Sequence, residues 1–536
     1  MKTTYASVAT AALVFAKSVV AADLPPIIMK GSHFFYENGT EFFLKGIAYQ
    51  QEVGPAGTTT TDGAFLDPLA DEPGCTRDVP LLQELGVNVI RVYAINVTLN
   101  HDPCMKLLSD AGIYVIQDLS NPKNSIIRTA PKWDVNLFAT YAGVIDELSG
   151  YTNTLGFFAG NEVSNDLTNT DASAFVKAAV RDSKAYIKNK GYRPMGVGYA
   201  TNDDAAIRDD LVSYFNCGDP SESIDFWGYN IYSWCGDSSF TESGYDKRTE
   251  EFRTFNVPSF FAEYGCNTVQ PHPFTEVAEI FGSKMTDVFS GGIMYMFHQE
   301  ANDYGVVTIK DGQAIKHPRF EALKKQMTAV NPKNTPASEY NIVNTKPSDC
   351  PTSSTWKASS NLPPIANSEA CECMTASLTC TANSGLTGNQ TAELFASVCG
   401  TDPKACAGIE ANGTTGVYGA YSMCTGSQQL SWAFDQYYKN QNKASTACAF
   451  NGNAKLQTGS VSSSCTALLA EAGSDGLGKV KTAPTSAGQS SGGANGAATS
   501  KAAAGALTVP AVNFGLLSLG AYVVAAGMAG MGMILL

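Results

Sequence analysis

Short apolar or β-branched runs alternate with helix-like stretches through the N-terminal part of the chain, and this alternation constrains the fold more than any other feature. The runs are FFLKGIAYQ (42–50), NVIRVYAI (88–95), YVIQDLS (114–120), LGFFAGNE (155–162), RPMGVGYA (193–200), SIDFWGYNIYS (223–233), PSFFAEYG (258–265) and GGIMYMFHQE (291–300). Between them TRDVPLLQELG, FATYAGVIDELSGY, DASAFVKAAVRDSKAYIKNKG and FTEVAEIFGSKMTDVFSG carry apolar residues at three- and four-residue spacing, and PRFEALKKQMTAV closes the series. Eight strands alternating with helices over roughly three hundred residues predict an α/β fold, a (β/α)8 barrel. A doubly wound open sheet is the alternative, but no Gly-rich phosphate loop follows the first strand.

A barrel of this kind places its chemistry where strands end and βα loops begin. Polar residues collect at those ends: Tyr49 and Gln50, Arg91 and Tyr93, Asp118, Asn161 and Glu162, Tyr229, Asn230 and Tyr232, Glu263 and Tyr264, then Tyr295, His298 and Glu300. Each alone would do no more than solvate a barrel mouth; the set points to an active site. In LGFFAGNE the apolar run stops at Gly160, expected to end the fourth strand, and Asn161-Glu162 follow. Glu162 and Glu263 would then face one cavity from strands four and seven. Two such carboxylates can divide the cleavage of a glycosidic bond, one donating a proton to the leaving oxygen and the other attacking the anomeric carbon. A separation of about 5–5.5 Å would make the route retaining, through a covalent glycosyl-enzyme. Asn161 suits a hydrogen bond to the sugar 2-hydroxyl, and the tyrosines offer apolar faces to pyranose rings.

The formal charge of −14 argues against a nucleic-acid partner, whose polyanion would be repelled. Both ends read as targeting signals. Residues 1–22 have a lysine near the start, a short apolar centre and a small-residue cleavage site at Val20-Ala21-Ala22, the pattern of a signal peptide. Residues 466–495 read as a Ser/Gly/Ala-rich spacer, and 496–536, ending in an apolar tail, as a removed glycosylphosphatidylinositol signal. A single-pass helix is the alternative. Asn495 is the expected attachment residue, with Gly492 and Gly493 close behind. Sequons at Asn38, Asn96, Asn389 and Asn412 could carry glycans. The fourteen cysteines suit a disulfide-permissive compartment. Cys75, Cys104, Cys217, Cys235 and Cys266 lie before residue 349, then Cys350, then eight within 371–465. This divides the chain into a catalytic unit (23–330), a connecting segment (331–370) and a cysteine-rich module (371–465). No CxxC pair or histidine cluster supports a metal, and no cofactor is called for.

FFAGNEVSND (157–166) with FFAEYGCN (260–267), set in this barrel, resembles the fungal β-1,3-glucanosyltransferases of glycoside hydrolase family 72. GIAYQ, NVIRVYAIN, YVIQDLS, GYNIYSWCG and MYMFHQEANDYG are similar to that family's blocks, over residues 24–350. The resemblance implies that Glu162 is the acid/base and Glu263 the nucleophile. It implies that Gln50, Tyr93, Asp118, Asn161, Tyr232, Tyr295 and Tyr304 line a glucan cleft. Arg91 would orient Glu263 or form a structural ion pair. Six cysteines allow fifteen pairings; the family implies Cys75–Cys104, Cys217–Cys350 and Cys235–Cys266.

Cys371, Cys373, Cys380, Cys399, Cys406, Cys424, Cys448 and Cys465, with the helix-like LSWAFDQYYKNQ, are similar to the family 43 carbohydrate-binding module, expected to be small, mainly helical and disulfide-rich. Trp432, Phe434, Tyr437 and Tyr438 would stack on glucan or, as such stripes more often do, form core. The implied reaction cuts an internal β-1,3 linkage and joins the new reducing end to the non-reducing end of another glucan, at the outer face of the plasma membrane and in the cell wall. A retaining β-1,3-glucan hydrolase shares the same glutamates, and a non-catalytic wall-binding protein is the alternative from another class.

Overall fold

A computed structural model describes residues 24–51 and 64–482. The signal peptide and Asn495, with the anchor signal after it, lie outside the described residues. Parallel strands β1 (Leu44–Ala48), β2 (Val89–Val92), β3 (Tyr114–Asp118), β4 (Thr154–Asn161), β5 (Gly196–Thr201), β6 (Trp227–Asn230), β7 (Ser259–Tyr264) and β8 (Gly291–Met294) close into one barrel in chain order. The helices are α1 (Glu72–Glu84), α2 (Asp102–Asp110), α3 (Val135–Leu148), α4 (Ser173–Asn189), α5 (Arg208–Asn216), α6 (Tyr245–Phe252), α7 (Glu276–Ile280) and α8 (Pro318–Ala329). β4 is buried from Thr154 to Gly160, because helices cover one side and the barrel interior fills the other. It runs one residue past Gly160, to Asn161.

The barrel is packed solid beneath its mouth. Phe158 of β4, Phe226 before β6 and Phe260 of β7 meet Phe34 from an N-terminal antiparallel sheet (27–42), with ring centroids 5.3 to 6.3 Å apart. Glycines make that layer possible. A Cβ on Gly198 would lie 2.3 Å from the Phe226 ring, and one on Gly228 would lie 2.7 Å from Phe158.

One helix is shorter than expected and one hairpin was not foreseen. The helix expected over 274–291 is the short α7 followed by turns, since Gly282 is a poor helix former just after Ile280. A hairpin, Val307–Lys310 with Gln313–Lys316, follows β8; Asp311-Gly312, both at positive φ, was its turn signal.

The three barrel disulfides are those the family implies: Cys75–Cys104, Cys217–Cys350 and Cys235–Cys266. The connecting segment lies along the barrel. Lys30 Nζ donates to the carbonyls of Ala337 and Tyr340, and Trp356 packs on Tyr214. The C-terminal module holds α9 (Ser368–Ser377), α10 (Gly388–Thr401), α11 (Gly426–Asn440) and α12 (Cys465–Ala472). Its bridges are Cys371–Cys424, Cys373–Cys465, Cys380–Cys448 and Cys399–Cys406. Trp432, Phe434 and Tyr438 are buried and Phe434 stacks on Phe450, so the aromatic stripe is chiefly core.

The spacer expected from residue 466 is folded as far as Thr482. Leu468, Ala472 and Val480 are buried, and Glu471 accepts from the N–H groups of Lys481 and Thr482. The module sits against α3 and α4, where Val135 N–H donates to the Met423 carbonyl and Tyr418 packs on Phe175. Asn38, Asn96 and Asn389 are exposed. Asn412 is half-buried near this seam, its side-chain oxygen accepting from the N–H groups of Thr414 and Thr415.

Candidate active site

The phenylalanine layer is the floor of the barrel mouth, and Arg91 lies on it. Its guanidinium, 0% exposed, stands 4.6 Å from the Phe158 ring and 4.5 Å from Tyr93. β2 carries Arg91 into the interior, where a lone cation would be prohibitively costly. Asp118, at the end of β3, accepts from Nε at 3.0 Å and from Nη2 at 2.9 Å. Nη2 also donates to Asn161 Oδ1 at 3.0 Å, and Nη1 donates to Glu263 Oε1 at 3.2 Å. Arg91 is therefore both an ion-pair partner and the group that orients Glu263.

Glu263, on β7, is 4% exposed. The Tyr93 hydroxyl donates to its Oε1 at 2.8 Å and the Tyr232 hydroxyl to its Oε2 at 2.7 Å. Burial first, and then the Glu263 charge, push both phenols well above their usual range, so they remain donors. The Cys235–Cys266 bridge braces the loops that follow β6 and β7, three residues beyond Tyr232 and Glu263 respectively.

Glu162 has different surroundings. Asn230 Nδ2 donates to its Oε1 at 2.8 Å and to Asn161 Oδ1 at 3.0 Å. Burial, and next the negative charge of Glu263, push the Glu162 carboxyl up to about 7; Asn230, Arg128 and Arg91 oppose the shift. Glu162 has a left-handed backbone, φ +49, fixed by its N–H on the Ala200 carbonyl and its own carbonyl on Arg128.

Tyr93, Asn161, Tyr232, Tyr295 and Tyr304 gather at this mouth as expected. Tyr232, Tyr295 and Tyr304 stand edge to face at 5.4 to 6.5 Å, and Tyr93 meets Tyr295 at 6.4 Å, forming an aromatic wall beside Glu263. Gln50 and Asp118 are placed otherwise. Gln50 Oε1 accepts from the N–H groups of Tyr93 and Ala94 and its Nε2 donates to the Leu66 carbonyl, so its amide ties loops together. Asp118 is 1% exposed and holds Arg91 with both oxygens. Asn230 was expected among the polar strand ends but without a role, and Arg128 was not singled out at all. Asn230 had a signal, its place at the end of β6; Arg128, in a loop, had none. Among the described residues no group of three His, Cys, Asp or Glu side chains is placed to hold a metal.

The arrangement can keep one carboxyl protonated and anchor one carboxylate at the same barrel mouth. Comparison with known proteins bears on what acts there. The family described as Glucanosyltransferase matches residues 16–331, and the X8 domain matches residues 378–455. A 1,3-beta-glucanosyltransferase of Arthroderma benhamiae is 55% identical over 99% of this chain and 100% of its own. The 1,3-beta-glucanosyltransferase GAS2 of Saccharomyces cerevisiae is 45% identical over 77% of this chain and 76% of its own. The solved structure of Saccharomyces cerevisiae Gas2p in complex with laminaripentaose is similar at 44% identity and TM-score 0.73, covering 81% of this chain and 97% of that one.

Proposed function

The chain belongs to the glucanosyltransferase family, glycoside hydrolase family 72, and is a 1,3-β-glucanosyltransferase of cell-wall remodelling; from that premise we propose which of its residues carry the reaction. Glu162 is the acid/base and Glu263 the nucleophile. In the first step the protonated Glu162 gives its proton to the glycosidic oxygen as Glu263 attacks the anomeric carbon. The C–O bond breaks, the shorter glucan leaves, and a covalent glycosyl-enzyme remains. In the second step the Glu162 carboxylate takes the proton from an acceptor hydroxyl. That oxygen attacks the anomeric carbon and Glu263 is released.

The observation that carries this assignment is the contrast between the two carboxyls. Glu162 is pushed up to about 7 and so begins as an acid. Glu263 is gripped by Arg91 and two phenol donors, which steady a negative charge and aim it. Asn161 turns its Oδ1 to Arg91 and Asn230, and its amide nitrogen, without a hydrogen-bond acceptor among the described residues, would meet the sugar 2-hydroxyl. The tyrosine wall would hold an acceptor sugar in line, and proximity of that kind favours a sugar hydroxyl over water. The acceptor is the non-reducing end of a second β-1,3-glucan.

The N-terminal leader, the lipid anchor at Asn495 and attachment to the outer leaflet would keep the enzyme beside wall glucan, with glycans at the exposed sequons. The module, docked on α3 and α4, would travel with the barrel as one body along that polymer.

The test is incubation of purified protein with a reduced laminari-oligosaccharide of known length. Products longer than the substrate are expected; shorter ones alone would remove transfer in favour of hydrolysis, and unchanged substrate would favour a binder. Glu162→Gln and Glu263→Gln should each abolish product while folding is retained. Near-normal turnover in either removes its assigned role.

A further inference from the structure

Arg128, in the loop between β3 and α3, reaches forward to Glu162 and donates from Nη2 to its carbonyl oxygen at 2.6 Å. Glu162 is a residue that needs holding. A side-chain-bearing residue in the left-handed region is strained and persists only where its surroundings over-determine it. The Ala200 carbonyl fixes the N–H of Glu162 at 2.9 Å and Asn230 fixes its carboxyl at 2.8 Å. Arg128 holds the third corner, the carbonyl.

A neutral amide could hold a carbonyl, so the charge needs its own account. Among the described residues no carboxylate lies within 4.0 Å of the Arg128 guanidinium. The groups that act on Glu162 come from every side: Glu263 on β7, Arg91 on β2, Asn230 on β6, Tyr199 on β5 and Arg128 in the loop. Two of these are cations, and Arg91 is already paired with Asp118 and Glu263. Arg128 is thus the cation at Glu162 whose charge no carboxylate of the described residues pairs with. Its effect on the Glu162 carboxyl opposes that of burial.

We propose that Arg128 is a positioning residue for Glu162, locking its backbone in the left-handed conformation and placing a positive charge beside its carboxyl through both halves of the reaction. The proposal rests on the reading of Glu162 as the acid/base. After the first proton transfer Glu162 is an anion at a half-buried position. The cation favours that anion until the acceptor hydroxyl returns a proton.

The test compares Arg128→Ala, Arg128→Gln and Arg128→Lys with the unaltered enzyme in steady-state transfer on a reduced laminari-oligosaccharide across pH. Glu162→Gln is run as a control. Arg128→Ala is expected to lower kcat by about ten- to a hundredfold with KM little changed, as for a misplaced reacting group. Arg128→Gln should move the descending, high-pH limb of kcat/KM upward, and Arg128→Lys should leave the limb in place. A raised KM with unchanged kcat would make Arg128 a sugar ligand, and an unmoved limb in Arg128→Gln would remove the charge effect; either overturns the proposal. If Arg128→Ala does not fold, the Gln and Lys variants still read the limb. An active Glu162→Gln brings down the acid/base reading itself, whatever Arg128 does.

Discussion

Asn230 stands beside Glu263 in the strand register of β6 and β7, yet it gives its side-chain amide to Glu162, at 2.8 Å. One residue thus spans the two carboxyls of the site, and through Asn161 it also reaches Arg91.

Asn230→Ala removes a donor that favours the ionised form of Glu162. The carboxyl should then stay protonated to higher pH, and the descending limb of kcat/KM should move up. Loss of alignment should lower kcat by about tenfold or more. Transfer kinetics across pH check both effects.

In the unaltered enzyme activity should fall as pH rises through about 7, where Glu162 loses the proton it must donate. Stability should follow the same direction. The folded state keeps this carboxyl protonated to higher pH than the unfolded chain does, so it binds more protons between the ordinary carboxylate range and about 7. Stability from this group is therefore full at the low end of that window and lost towards its top. Glu162→Gln should flatten that part of the curve in chemical denaturation.

Arg91→Met would leave Asp118 and Glu263 buried without their cation. Breaking a buried pair in this way costs about 3–5 kcal/mol, readable as a lower urea midpoint. Adding Asp118→Leu should recover part of it, because the worst orphan is then gone.

The Cys217–Cys350 bridge closes 133 residues and ties the connecting segment to α5. Replacing both cysteines with serine should lower stability by about 2–5 kcal/mol and reduce Tm. Transfer at 25 °C should be nearly unchanged, since neither residue touches the barrel mouth.

Trp432 separates core from binding surface in the module. It is 4% exposed and packs on Tyr421 at 4.6 Å. Trp432→Ala should cost about 3–5 kcal/mol, seen as a lower melting transition. Glucan retention that is lost while the melting transition is unchanged would instead make Trp432 a ligand.

The barrel was legible because its signal is local and repeated: each strand and helix shows its own period, and eight repeats reinforce one another. Strand ends are legible for the same reason, so the sequence alone places Glu162 and Glu263 at one mouth. Asp118 was placed at the right strand end, but its pairing with Arg91 was not foreseen. Whether a strand-end carboxylate meets solvent or an arginine depends on Arg91, a residue on the neighbouring strand. The fold of 466–482 was hidden by a composition suited to a spacer, and Cys373 reveals it only by bridging to Cys465.

Periodicity, cysteine number and the two acidic strand ends settled the architecture and the kind of chemistry, because a residue's place on a helix or strand follows from its near neighbours. Tertiary packing settled what surrounds each carboxyl. Glu162 is pushed up by burial and by Glu263 across the barrel, and its left-handed backbone is held by Ala200 and Arg128. Those groups meet only when the barrel closes, and electrostatic effects of that size arise only where water has been excluded.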